Sequence, residues 1–243
     1  VTGYHVSFEA PSRLSIALCL TRAVAPKAEL LADLESKAEW PAQGKPRSIH
    51  VDNGSDFQSR AFKGACAEWG IDLRYRPPGS PHFGGHIERL IGTMMGAVHL
   101  LPGTTQSSVA AKGSYDAEAM ATMTLSEFDS WFALEICRYN NSIHSSLGCT
   151  PVAKWEALSG EMAGDIPFDM EAFRVSFLPS ELRQVRRDGI HLFDLRYWSD
   201  ALAGHVGRKD GKVVVRYDPR NLSVIWVELD GGRCIEARYR NLE

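Results

Sequence analysis

The sequence predicts an α/β unit with a mixed sheet, ending near Ser176, followed by a small all-β barrel over Phe177–Glu243. Two observations carry the first half of that reading. Apolar runs with the period of a half-buried strand alternate with runs at helical spacing as far as Leu100. Such alternation is the pattern of strands covered by helices. The barrel rests on a third observation. Beyond Asp169 the chain breaks into short strands separated by Asp188-Gly189, Asp210-Gly211, Asp218-Pro219 and Asp230-Gly231-Gly232. Asp-Gly between alternating strands is a hairpin signal, and several short strands at regular spacing mean a small barrel.

Taken in order, Val1–Ser12 reads as a strand entering a turn, with Tyr4, Val6 and Phe8 alternating against Gly3, His5 and Ser7. Arg13–Val24 is open between strand and helix: Leu14, Ile16, Leu18 and Leu20 alternate, yet alanine and leucine are good helix formers. Lys27–Trp40 reads as an amphipathic helix between Pro26 and Pro41. Arg47–Val51 is a strand that delivers Asp52 to its end, Ser59–Trp69 a helix stopped by Gly70, and Ile71–Arg76 a second strand. The prolines and glycines that follow demand a loop. Ile87, Leu90, Ile91, Met94 and Met95 return to helical spacing, and Leu101–Thr124 is a connection of small and polar residues. Ser126 opens a helix striped by Phe128, Trp131, Phe132, Ile136 and Tyr139. Thr150 and Pro151 suit the N-cap and first position of another, and Ser159–Asp169 is linker by composition. The barrel strands are expected at Gln184–Arg187, Ile190–Phe193, Leu195–Trp198, Lys212–Tyr217, Val224–Glu228 and Cys234–Arg238.

Bulk properties exclude some classes. The 243 residues, 44% hydrophobic, suit one large or two modest domains with a real core. No apolar run approaches the roughly 20 residues a membrane span needs, and Val1 begins in an apparent strand rather than a signal peptide. Five scattered cysteines without CxxC spacing favour reduced thiols and a cytoplasmic setting. Up to Ser176 there are 15 basic against 20 acidic residues, and from Phe177 onward 12 against 10. A bulk basic signature of nucleic-acid binding is absent, so any such site is a local patch.

The chemistry-bearing stretch is Ile49–Met95. Asp52 ends an apolar strand and Glu88 sits on a helix, with 35 residues between them. Two carboxylates brought together by a fold can hold a hard divalent cation, which takes oxygen ligands and keeps several waters for substrate phosphates. The local alternative is an Asp-Asn-Gly turn and a solvated helical glutamate. Around Glu88, Arg89 has the fork that suits phosphate oxygens, while His82 and His86 are phosphate or water contacts at most, or plain polar surface. Gly92 and Gly96 imply either close packing or close approach of a DNA strand.

Asp52-Asn53-Gly54-x-x-Phe57, followed after 35 residues by Gly85-x-x-Glu88-Arg89, resembles the retroviral-integrase and transposase superfamily. That resemblance implies an RNase H-like core and a D, D, 35, E triad binding two Mg²⁺ (or Mn²⁺) ions. Asp52 and Glu88 would be the catalytic and metal-binding residues. Asn53 matches the turn after the second aspartate, and Pro81, Gly84 and Gly85 match the loop before the glutamate. Asn53, His82, Gly84, Gly85, His86 and Arg89 are the DNA contacts expected there. The family's first aspartate lies on a strand that would precede Val1. Glu9, Asp33 and Glu35 do not fit it, so the chain is expected to lack the first strand of that core and one metal ligand. Tyr139-Asn140, His144, Leu147-Gly148 and Thr150-Pro151 look like the tail of bacterial transposase cores, where His144 either reaches the site or fixes a turn. Gly189-Ile190, Leu195-x-Tyr197 and Arg216-Tyr217-Asp218-Pro219 resemble the C-terminal barrel of the bacteriophage Mu transposase group, with Arg183, Arg186 and Arg187 as its DNA contacts. The implied activity is nicking of element 3′ ends and strand transfer into target DNA. The implied partners are DNA, further copies of the chain and an ATPase of the AAA+ class. A catalytically incomplete remnant that only binds DNA is the alternative.

Overall fold

The computed structural model describes residues 1–77, 84–104, 116–160, 165–208 and 211–240. The first part runs α1 (Arg13–Val24), α2 (Ala28–Asp33), β1 (Ser48–Val51), α3 (Ser55–Gln58), α4 (Arg60–Glu68), β2 (Asp72–Tyr75), α5 (Gly85–Val98), α6 (Ala117–Met120), α7 (Leu125–Asn141), α8 (Pro151–Ser159) and α9 (Met170–Phe177). The second part is β3 (Ser180–Gln184), β4 (Ile190–Leu192), β5 (Leu195–Trp198), β6 (Lys212–Asp218), β7 (Asn221–Glu228) and β8 (Cys234–Tyr239).

Strands β1 and β2 pair in parallel, from Ser48 opposite Asp72 to Val51 opposite Tyr75. Among the described residues they are the whole of the first sheet, so the expected mixed sheet is not formed. Val1–Ser12, expected as a strand, forms none and bends at Phe8, Glu9 and Pro11. Side chains hold it instead: Trp40 Nε1 and Asn140 Nδ2 both donate to the Val1 carbonyl, at 2.9 and 3.0 Å. Tyr4 is buried against Trp40 and, edge-on, against Phe132. Arg13–Val24 resolves as helix.

The helix expected over Lys27–Trp40 stops at Asp33. Ser36 N donates to Leu31 O and Glu35 N to Ala32 O, with Glu35 at φ 50°. These are the two bonds of a Schellman ending, here formed on glutamate where glycine is usual. The chain beyond is drawn inward because Trp40 and Ala42 bury in the core. Helix α9 was not anticipated. Its signals are Asp169, whose side chain accepts from Ala172 N at 2.8 Å, and Arg174 in the last turn.

The barrel strands lie close to their expected positions. Their order is β3-β6-β7-β8-β5-β4, antiparallel throughout. The outer strands β3 and β4 are consecutive, and a reciprocal pair of bonds between Arg186 and Gly189 brings the sheet back on itself. Strand β3 ends at Gln184, whereas the expectation ran to Arg187, because Arg187 and Asp188 turn the corner. Gly189 there has φ 112°, and a Cβ would strike the Tyr197 carbonyl. The β4–β5 turn, Phe193-Asp194, has positive φ at both residues (51° and 60°), the geometry of a type I′ hairpin turn.

Three apolar clusters hold the molecule. Tyr197, Ile190, Ile225 and Val215 fill the barrel. Met94 of α5 joins Ala133, Ile136 and Cys137 of α7. The third cluster joins Ala17 and Val24 of α1, Phe62 and Cys66 of α4, Phe173 and Phe177 of α9, and Trp226 of β7. Helix α9 therefore bridges the α/β part and the barrel, across the junction expected at residues 176/177. Arg174 on α9 reinforces this by pairing at 3.0 Å with Asp218, which is only 4% exposed, and by lying over the Trp226 ring. Burial alone would raise the Asp218 pKa, but its bonds to Arg220, and Arg174 nearby, outweigh that and lower it. None of the five cysteines is bonded to another.

Candidate metal and nucleic-acid site

The register of β1 and β2 sets Asp52 and Arg76 side by side just past the strand ends. Arg76 N donates to Val51 O at 2.8 Å, and Asn53 Nδ2 donates to Arg76 O at 3.1 Å. Asp52 Oδ1 accepts from Gly54 N at 2.9 Å, and its other oxygen has no partner among the described residues. The Asp-Asn-Gly turn is thus formed, with one carboxylate oxygen uncommitted.

The N-terminus of helix α5 lies beside Arg76. Gly84, its buried N-cap, lies under the Arg76 guanidinium so closely that a Cβ would collide with it. Glu88 falls in the first turn of α5, where the helix dipole favours a negative charge. It is exposed, as is Asp52. Val51 and Ile87, which immediately precede the two acids, line one groove of about 640 Å³ together with Thr2–Pro11 and α1. Arg76, which was not singled out in the sequence, is the residue that couples the two acidic positions. Its only sequence signal is its place next after the strand.

The basic candidates are less concentrated. Arg89 Nη2 contacts His86 Nδ1 at 3.0 Å, so these two exposed side chains hold each other. His82 and Pro81 lie outside the described residues. Gly85, Gly92 and Gly96 have nothing near the position of a Cβ, so among the described residues the close-packing explanation for Gly92 and Gly96 has no support. Arg183 pairs with Glu181. Arg186 and Arg187 are exposed in the β3–β4 turn and form no ion pair among the described residues. His144 fixes its turn through its backbone: its N–H donates to Cys149 O, and its carbonyl accepts from Leu147 and Gly148. Its ring packs edge-on to Tyr139, with Nδ1 buried and unpartnered.

Among the described residues no three His, Cys, Asp or Glu side chains are grouped to hold a metal ion. A Mg²⁺ ion can be held by one or two carboxylates with waters and substrate oxygens; Asp52 has one oxygen without a partner among the described residues, and Glu88 is exposed. No helix among the described residues is long and apolar enough to cross a membrane.

Comparison with known proteins bears on both parts. Residues 1–103 match the family described as TnsB C-terminal domain, and residues 174–236 the family described as Mu transposase, C-terminal. The transposase for transposon Tn552 of Staphylococcus aureus is 28% identical over 229 residues, 93% of this chain and 44% of that protein. An uncharacterized protein, y4iC, of Sinorhizobium fredii (strain NBRC 101917 / NGR234) is 44% identical over 59 residues, 20% of this chain and 26% of that protein. The chain therefore spans less than half the length of either relative. One matched region lies in the α/β part, and the other runs from α9 through most of the barrel. The chain is thus similar to Tn7- and Mu-type transposase regions in its two parts, and to the Tn552 transposase along most of its length.

Proposed function

We propose that this chain supplies two acidic ligands, Asp52 and Glu88, to the metal site of a DNA strand transferase with an RNase H-like core. The observation that carries the proposal is the coupling at the sheet end, where Arg76 bonds the strand that delivers Asp52 and packs on the glycine that starts the Glu88 helix. The transposase relationship gives that pair its chemistry. Bound Mg²⁺ or Mn²⁺, two ions in a complete site, supplies charge at the attacking and leaving oxygens of an in-line phosphoryl displacement. Asp52 contributes its free oxygen while Gly54 N–H fixes the rotamer through the other. Glu88 projects from the first turn of a helix whose neighbouring Gly92 and Gly96 leave the backbone open to an approaching strand. Arg89 stands beside it for a phosphate oxygen.

In the complete reaction water cleaves a phosphodiester to leave a 3′-OH, and that hydroxyl then attacks target DNA, releasing a new 3′-OH. This reading assigns two carboxylates of the triad to this chain and leaves the third unassigned. The same reading carries assembly with further copies on DNA and an ATPase partner of the AAA+ class. The test is cleavage of a labelled element-end duplex in Mg²⁺, beside a gel shift at fixed salt. The chain alone is expected to bind and not cut. A version extended upstream through an acidic strand is expected to do both, and to lose cutting in Asp52→Asn or Glu88→Gln while keeping its binding, since phosphate contacts dominate affinity. Undiminished cleavage by the Glu88→Gln protein would overturn the assignment.

A further inference from the structure

We propose that the Arg76 guanidinium binds a non-bridging oxygen of the phosphodiester that undergoes displacement; the inference rests on the metal-site reading above and adds a substrate contact to it. The Arg76 backbone is locked to the strand end that delivers Asp52. Its N–H donates to Val51 O at 2.8 Å, and its carbonyl accepts from Asn53 Nδ2 at 3.1 Å. The side chain is placed as firmly. Its guanidinium occupies the space that a Cβ on Gly84 would take. Gly84 and Glu88 are four residues apart and share a face of α5. The guanidinium therefore lies on the face of the helix that carries Glu88.

Arg76 forms no ion pair among the described residues. Asp72, two strand positions earlier on the same side, is taken by Arg74 at 2.6 Å, and Asp52 Oδ1 is taken by Gly54 N. The setting is electrostatically costly. Arg76 is half-buried and stands at the N-terminus of the 14-residue helix α5, where the helix dipole is positive. A cation kept there without a counter-charge is offset by an anion that meets both the guanidinium and the helix end. A phosphate oxygen suits the planar arginine fork. During in-line displacement the entering oxygen bonds to phosphorus as the leaving oxygen departs, and charge is carried by the non-bridging oxygens. Arg76 stays protonated throughout and transfers no proton. Its part is to hold the phosphate and offset that charge beside the two acids.

Two measurements test this. Crystals of the chain soaked in tungstate, a tetrahedral phosphate mimic, should show an anomalous peak within hydrogen-bond distance of the Arg76 guanidinium, absent in Arg76→Gln. In the upstream-extended protein, Arg76→Gln should slow single-turnover cleavage of the element-end duplex about a hundredfold at saturating DNA. Duplex affinity, Mn²⁺ affinity and thermal unfolding should stay at wild-type values, and Arg76→Lys should recover part of the rate. Gly84→Ala is an independent variant. Its backbone, at φ −97°, accepts alanine, and only the flexible end of Arg76 must yield. It should fold and lose the tungstate peak. A wild-type crystal with no peak at Arg76 would overturn the proposal. A peak that persists in Arg76→Gln would be an adventitious ion only, with the same consequence, and so would wild-type cleavage by that variant. Loss of Mn²⁺ affinity or stability in step with the rate would make Arg76 a structural clamp and also overturn it. Undiminished cleavage by Glu88→Gln would instead sink the metal-site reading.

Discussion

Lys27 shows how a single side chain is forced to serve the fold. It is 3% exposed, and its Nζ donates to the carbonyls of Ala23, Ala25 and Ala42 at 3.1, 2.6 and 2.7 Å. Burial, with Arg22 nearby, lowers its pKa to about 8. The folded state therefore sheds this proton before the unfolded state, which holds it to about 10.5. Between those values the unfolded chain binds more protons, so this group's contribution to stability rises with pH. Urea unfolding at pH 8 and pH 10 should show wild type gaining about 1–3 kcal/mol relative to Lys27→Met; equal pH dependence in the two proteins would contradict the assignment. Nothing in the sequence marked Lys27 as buried, because a lysine beside a proline reads as surface until Trp40 and Ala42 fold over it. The strand end at Asp52 and the helix carrying Glu88 were legible in the sequence, whereas the place of Arg76 between them was not. Its role depends on the contact with Gly84, which no local pattern encodes. At Gly189, replacement by alanine should cost a few kcal/mol in urea titration, since a Cβ meets the Tyr197 carbonyl and the residue has positive φ. Near-wild-type stability would show that the turn rearranges freely.

At the scale of elements, strands with turn chemistry were the easiest to read. Five of the six barrel strands overlap their expected ranges closely, because Asp-Gly turns and strict alternation report register directly. Thr124 extends the same lesson to helices. It caps α7 and exchanges bonds with Glu127, although the helix was expected to open at Ser126. Helix α9 was hidden because eight residues give little periodicity and a polar linker precedes them. Its importance is tertiary. Phe173 is fully buried among α1, α4 and α9 residues and stacks edge-on with Trp69. Phe173→Ala should lower stability by about 3–5 kcal/mol. Asp218→Asn should cost about 3 kcal/mol, since Arg174 and Arg220 lose their shared counter-charge in a buried setting. Both are read from denaturant midpoints, and a loss below about 1 kcal/mol in either would mean that α9 is not the bridge between the two parts.

For the whole molecule, the cluster shared by α1, α4, α9 and Trp226 makes the barrel and the α/β part neighbours in one apolar core. Unfolding followed by far-UV circular dichroism and by tryptophan fluorescence should therefore coincide; two separated transitions would show the barrel to be energetically independent. The segment Val1–Ser12, which forms no strand, made the overall sheet the least legible feature, since a strand's sequence does not name its partner. The central proposal is narrower: Asp52 and Glu88 are ligands of one cation. The most direct measurement is anomalous diffraction from crystals of the chain soaked in Mn²⁺. The account expects a peak within coordination distance of both carboxylates, lost in Glu88→Gln. Peaks elsewhere only, or the two carboxylates facing apart with no ion between them, would contradict it.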